Sequence, residues 1–238
     1  MTETLTEQAA SLFDIRLSGE QAAQFETYSR ELLAWNAHTN LTAITEPDGI
    51  QVRHFLDSLS VTKAAPMSPG LRVIDVGTGA GFPGLPLLIA FPDIHLTLLE
   101  ATGKKVAFLD HMVAMLGLAN VETVHARAEE AGHDPKRRAR YDLVLARAVA
   151  RLPSLLEYLL PLARVGGYCI AMKGKTAQEE ADGSARALSV LGGRLKTIET
   201  VYLPDVSEEH HLVVVEKVAH TPNGYPRRPG VPIQKPLI

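Results

Sequence analysis

Apolar residues fall into two registers along this chain. Up to about residue 65 they recur every three or four positions; from Leu71 onward, short apolar runs alternate with such helical stretches. Ser18 with Gln21 three residues on forms a capping box. Behind it Ala22, Phe25, Tyr28 or Ser29, Leu32 and Leu33 keep helical spacing, so a helix is predicted there, with Trp35 closing it. A second helix is predicted to start near Pro47 and to turn Ile50, Phe55, Leu56 and Leu59 inward. Segment 64–70, rich in alanine and proline, reads as a linker. Beyond it, strands are predicted at 72–77, 95–100, 121–126, 141–147, 168–173, 195–203 and 211–218. Helices lie between them, including a long one from about Lys104 to Leu116. Such alternation makes a parallel sheet covered on both faces. The last two strands are joined by a short loop alone and are predicted to pair antiparallel. Two units are expected: an N-terminal helical extension over residues 1–66 and an α/β domain over 67–238. The basic, proline-rich tail of that domain, 219–238, is expected to lie over the surface as a loop.

Composition removes several classes of function. The 238 residues are 46% hydrophobic and 21% charged, as in an ordinary globular protein. With 24 basic and 27 acidic residues the net charge is −3, so no overall basic field advertises nucleic acid and any such site must be a local patch. A single cysteine, Cys169, rules out an internal disulfide and a cysteine-based zinc site. The N-terminus lacks the basic and apolar regions of a secretory signal. The most apolar stretch, Leu85 to Leu99, is interrupted by Pro86, Pro92 and charged groups and is not expected to span a bilayer. The expectation is a cytoplasmic protein that needs neither membrane nor metal, and nothing requires more than a monomer. Walker, kinase and serine-hydrolase signatures are absent from the sequence.

Chemistry concentrates at residues 72–84, Arg-Val-Ile-Asp-Val-Gly-Thr-Gly-Ala-Gly-Phe-Pro-Gly. A strand entering a glycine loop that opens a helix places bare backbone amides beside an adenosine-containing ligand. The dinucleotide fingerprint is G-x-G-x-x-G, whereas here Gly77, Gly79 and Gly81 alternate and Phe82-Pro83 follows. A pyrophosphate needs free N–H groups at the helix start, and Pro83 and Pro86 have none. Asp75, just before the loop, suits a cation; S-adenosylmethionine carries an ammonium and a sulfonium and no phosphate. Glu100 ends the second strand roughly 20 residues beyond the glycines, where a carboxylate accepts ribose hydroxyls. S-adenosylmethionine is therefore favoured over NAD. Seven strands ending in an antiparallel pair is the layout of the class I S-adenosylmethionine-dependent methyltransferase fold, a mostly parallel Rossmann-like sheet.

Further candidates follow from position. Arg127-Ala128-Glu129 succeeds the third strand, in the loop that reaches adenine in this fold. Arg147 ends the fourth strand among small apolar residues, at the carboxyl edge where ligands bind. Lys173-Gly174 occupies the same edge after the fifth strand, and Lys173 is a candidate phosphate contact. In the tail, Tyr225 offers a stacking face beside Arg227 and Arg228, in a segment pre-ordered by prolines, which suits RNA better than a small metabolite. Lys104 and Lys105 open a helix where the dipole disfavours cations, which implies an anionic partner. Lys136, Arg137, Arg138 and Arg140 read as a solvated loop. His54 and Asp57 share a helical face at i,i+3 and read as a structural hydrogen-bonded pair sooner than a catalytic one. His210 and His211 point to opposite faces of a strand.

Trp35-Asn36 with Asn40-Leu41-Thr42, His54 with Asp57-Ser58-Leu59, and Asp75 to Gly84 make a longer pattern. It continues through Lys104-Lys105 with Phe108-Leu109, Arg127-Ala128-Glu129, Arg147-Ala148, Lys173-Gly174 and Tyr225-Pro226-Arg227. In these pieces, in this order, the chain resembles the bacterial 16S rRNA guanine-N7 methyltransferases, the glucose-inhibited division protein B family. The first 17 residues and Ala131 to Arg140 lie outside the resemblance. The resemblance implies a cofactor site at Gly77, Phe82, Ala128, Glu129 and Arg147, to which the reading of the loop adds Gly79 and Glu100. It implies as acceptor N7 of a guanine, nucleotide 527 in the usual bacterial numbering, with 16S rRNA or the small ribosomal subunit as partner. Two readings compete: a methyltransferase acting on another RNA, a protein or a metabolite, and an NAD(P)-linked oxidoreductase.

Overall fold

The computed structural model describes residues 4–238. Its strands are β1 (Arg72–Val76), β2 (His95–Glu100), β3 (Val121–His125), β4 (Tyr141–Arg147), β5 (Ala163–Lys173), β6 (Gly193–Val201) and β7 (His210–Lys217). They form one seven-stranded sheet in the order β3-β2-β1-β4-β5-β7-β6. The first five run parallel, and β7 inserts antiparallel between β5 and β6. The expected class I layout is the one observed. β5 begins at Ala163 and not at Tyr168: Ala163 pairs with Tyr141, Tyr168 with Leu143, and Arg164-Val165-Gly166-Gly167, which breaks the apolar pattern, spans the register shift between them.

Alternation along the strands builds two cores. Val73, Leu96, Leu98, Leu143 and Ile170 face one side, against residues of the helices Gly19–Thr39, Gly84–Ala90 and Gly103–Met115. Ile74, Val76, Val144 and Ala146 face the other, against the helices Leu152–Leu159 and Ala185–Leu191. Asp75 shares the register of the first set, so its carboxylate lies beneath the start of Gly84–Ala90.

The N-terminal residues make a helical layer over that first face. Helix Leu5–Phe13 opens with a reciprocal Thr4–Glu7 cap that the apolar pattern did not signal. Ser18 and Gln21 cap helix Gly19–Thr39 as predicted, with bonds of 2.8 and 3.2 Å. That helix runs a turn past Trp35 and stops at Asn40, which is left-handed (φ 51°). Tyr28, and not Ser29, is buried with Phe25 and Leu32. A continuous helical stretch from Pro47 to Lys63 contains a π-helical turn, Gln51–Leu56, and buries Ile50, Phe55, Leu56 and Leu59.

At the opposite edge the tail is mostly irregular and lies over the surface, anchored by buried Pro226, Pro232 and Leu237 and by the short helix Val231–Gln234. One expectation is corrected there: the basic cluster is not simply solvated, since Arg138 donates to the carbonyls of Gly132, Thr221, Pro222 and Tyr225 at 2.6–3.1 Å. A guanidinium carries five donors in one plane, so one side chain ties Gly132 to three carbonyls of the tail. Among the described residues no helix is long and apolar enough to cross a membrane.

Candidate active site

Strand order reverses between β1 and β4, and ligands of open α/β sheets bind in the crevice at that switch. The glycine loop there is tied at both ends to one carboxylate. Asp75 Oδ2 accepts the Thr78 hydroxyl at 2.6 Å and the Gly84 amide at 2.9 Å. Burial raises the Asp75 carboxyl to about 6 against those two bonds. Its other oxygen, Oδ1, is buried without a partner among the described residues, an acceptor that a nearby cation would stabilise. Gly77 and Gly79 are left-handed (φ 67° and 62°), a region that favours glycine. The Gly79 amide donates to Glu100 Oε2 at 3.0 Å, and Thr102 donates to Glu100 Oε1 at 2.8 Å. Each oxygen of this buried carboxylate keeps a second lone pair, directed at whatever lies beside it.

Gly77, Glu100, Ala128 and Glu129 come together around one cavity of about 180 Å³. Glu129 sits in the first turn of helix Ala128–Ala131, where the dipole favours an anion. Its Oε1 accepts the Gly230 amide at 3.1 Å, so the tail closes one wall with Gly230 and Ile233. Opposite, Val149 leans over the loop: a Cβ on Gly77 would lie 2.8 Å from its methyl. Two carboxylate lone pairs for a ribose beside Gly77, whose own amide is spent on the Leu99 carbonyl at 2.8 Å, match an adenosine that carries no phosphate. No phosphate cradle accompanies them, because the helix after the loop begins at Pro83 and Gly84.

Arg147 opens on a second cavity, of about 350 Å³, beyond the turn that follows β4. The helical layer grips its guanidinium. Nη1 donates to Asp57 Oδ2 at 2.9 Å and to the Arg53 carbonyl at 3.1 Å, Nη2 lies 3.3 Å from His54 Nδ1, and the group rests 4.9 Å over the Phe82 ring. Asp57 Oδ1 also meets His210 Nδ1 at 3.0 Å. The expected His54–Asp57 bond is therefore replaced by a shared grip on Arg147. The π-helical turn accounts for this, because it displaces the 3.6-residue spacing on which i,i+3 pairing rests.

His54 Nδ1 lies 3.1 Å from the Arg53 carbonyl and 3.3 Å from Arg147 Nη2, and its Nε2 lies 2.7 Å from the Thr42 hydroxyl. Asn36 shapes the turn that presents Thr42, accepting the amides of Leu41 and Thr42 and donating to the Thr42 carbonyl. Burial, with Arg147 second, lowers His54 to about 4 from its ordinary 6.5. The unfolded chain takes up this proton on acidification before the folded one does. Stability is thus lost as pH falls from about 6.5 to about 4, on the order of 3 kcal/mol in all. His54→Gln, whose amide offers one donor and one acceptor, should show a shallower loss of denaturation midpoint across that window. An identical pH profile in the two proteins would refute it.

The remaining candidates separate. Phe82 does not face the first cavity; it is stacked between Tyr28 (5.3 Å) and His54 (4.5 Å), bracing the loop against the helical layer. Lys173 is not free at its strand end. It bonds Glu180 at 2.8 Å and the Ala150 carbonyl at 2.5 Å. Arg227 wraps the fully buried Glu157, and Tyr225 is half-buried beside it, while Arg228 is exposed. Asp57 and His210 at Arg147, Glu180 at Lys173 and Glu157 at Arg227 escaped the sequence reading. A carboxylate inside an apolar run, as in Leu155-Leu156-Glu157-Tyr158-Leu159, was the one available signal.

Switch-point crevice, phosphate-free glycine loop and ribose carboxylate define a class I S-adenosylmethionine-dependent methyltransferase. The fold agrees with solved structures: a SAM-dependent methyltransferase from Aquifex aeolicus (TM-score 0.55, 22% identity, 73% of this chain and 94% of that one). M. jannaschii TYW2, solved in complex with AdoMet, is a second (TM-score 0.51, 14% identity, 68% and 77%). The family profile described as GidB, rRNA small subunit methyltransferase G, matches residues 21–213, and the chain belongs to that family. Relatives named ribosomal RNA small subunit methyltransferase G include one from Roseiflexus castenholzii, 49% identical over 96% of this chain and 97% of its own length. Another, from Desulfitobacterium hafniense, is 46% identical over 94% and 93%.

Proposed function

We propose that this chain transfers the methyl group of S-adenosylmethionine to N7 of a guanine in 16S rRNA, at the nucleotide numbered 527 in bacteria. The observation that carries the reading is family membership across residues 21–213, which span both cavities' principal side chains. The chemistry of the site supports it. Guanine N7 presents a lone pair and has no proton to lose, so catalysis rests on proximity and alignment and asks for no general base. The imidazoles around Arg147 suit that requirement: His54 is held by Thr42 and Arg147, and His210 by Asp57.

S-adenosylmethionine, when bound, supplies a methyl group on a sulfonium that leaves it for N7 in line. Glu100 would hold the ribose hydroxyls with its free lone pairs, and the loop at Gly77, whose shape Asp75 fixes from beneath, would meet the amino-acid end. Positive charge passes to the guanine ring in the reaction, and a bare guanidinium against N7 would oppose it. Arg147 therefore holds a carboxylate, guanine O6 or phosphate, and Asp57 offsets its charge within the cavity. For the RNA backbone, Arg228 and Lys104 are exposed candidates, with Tyr225 as a partial stacking face. Arg227 and Lys173 are withdrawn from that role by their carboxylate partners.

The test is methyl transfer to naked 16S rRNA, 30S particles and protein extract, followed by mass spectrometry of the nucleosides. The expected product is 7-methylguanosine from the rRNA, on naked or assembled substrate. A mark on another base or on protein alone overturns the assignment. Calorimetry that shows tight NADH uptake and no response to S-adenosylmethionine overturns the class itself.

A further inference from the structure

The turn after β4 separates the two cavities, and its shape is imposed from outside. Ala148 is left-handed (φ 55°), a conformation uncommon for a residue with a side chain. Val149 reaches over Gly77 on one side, while Arg147 and Ala148 border the second cavity on the other. The backbone just beyond is held by two side chains from a neighbouring segment. Lys173 Nζ donates to the Ala150 carbonyl at 2.5 Å, and the Leu152 amide donates to Glu180 Oε2 at 2.7 Å. Lys173 and Glu180 pair with each other at 2.8 Å with side chains only 11% and 8% exposed, and the Thr176 hydroxyl donates to Glu180 Oε1 at 2.8 Å.

A desolvated Lys–Glu pair is poor value as a source of stability, since apolar side chains of similar size often serve as well. Here both members also hold the backbone of one turn, from opposite sides of a single residue, Arg151. We propose that Lys173 and Glu180 are positioning residues for methyl transfer: as a clamp they set the height of the turn Arg147–Leu152, which keeps Val149 on the glycine loop and Arg147 on the acceptor cavity. The proposal rests on the methyltransferase reading of the site. Burial raises the Glu180 carboxyl, but the bonds from Lys173, Thr176 and Leu152 outweigh it and hold it below the ordinary value.

Three variants of the full chain test this: K173M, K173R and E180Q. The readouts are amide hydrogen exchange of residues 148–152 in the protein alone, affinity for S-adenosylmethionine by calorimetry, and single-turnover transfer at saturating RNA. K173M is expected to speed exchange in the turn and to slow transfer about 10²-fold, the cost of a misplacement near 1 Å, with its KM for RNA unchanged. K173R should recover most of the rate, since a guanidinium reaches both acceptors. K173M with wild-type exchange and rate overturns the proposal. So does a variant whose one defect is a flatter salt dependence of RNA binding, the signature of a lost phosphate contact. If K173M does not fold, E180Q, nearly isosteric, carries the same readings. Should the wild-type chain transfer no methyl group at all, exchange in the turn and cofactor affinity decide alone, and unchanged values overturn it.

Discussion

Replacing Arg227 with methionine is expected to destabilise the protein by about 3–5 kcal/mol, a fall in Tm on the order of 10 °C for a domain of this size. Glu157 is completely buried, and Arg227 supplies its neutralisation: the backbone amide at 2.7 Å, Nε at 2.9 and 3.1 Å, and Nη2 at 2.6 Å. Removing the guanidinium strands a carboxylate in an apolar core. Removing the carboxylate as well should restore most of the loss, so Arg227→Met with Glu157→Gln is expected to melt above Arg227→Met alone. The cycle isolates the pair because Gln keeps the shape and drops the charge. RNA binding separates this role from the one the tail suggested. Arg227→Met, measured below its Tm, should keep the salt slope of RNA affinity, whereas Arg228→Met should reduce it by about one. An unchanged Tm joined to weakened RNA binding would return Arg227 to the RNA.

Arg147→Lys is expected to lower the single-turnover rate by about 10²–10³-fold, the range seen when one preorganised donor is removed from a catalytic site. A single ammonium cannot meet Asp57, the Arg53 carbonyl and His54 together, and it lacks the flat face that rests on Phe82. The substitution preserves charge, so a full loss of rate assigns the effect to aim and not to electrostatic attraction. Asp57→Asn should be milder, because the amide oxygen still accepts from Arg147 while the offsetting charge disappears. Wild-type rate and wild-type cofactor affinity in Arg147→Lys would remove Arg147 from the site.

What was legible in the sequence is what local physics writes there. The glycine loop, the Ser18–Gln21 cap, the strand alternation and the antiparallel last pair each depend on residues a few positions apart. Gly77, Glu100, Ala128 and Glu129 converge because the carboxyl ends of neighbouring parallel strands must lie side by side. Pairings across the fold leave no such trace. Asp57 meets Arg147 from 90 positions away and Glu157 meets Arg227 from 70, so the exposure of those cations was invisible. The same blindness assigned Lys173 to phosphate and Arg138 to solvent. Each cation sat where a ligand contact was plausible, and each already had an internal carbonyl or carboxylate to satisfy.

Gly230 and Ile233 wall the cavity that Gly77 begins, and Asp57 steadies Arg147 from the first quarter of the chain. That cavity is therefore closed by residues from both the middle and the far end of the chain, and cutting the chain before Gly230 would leave Glu129 without its amide partner and the cavity without one wall.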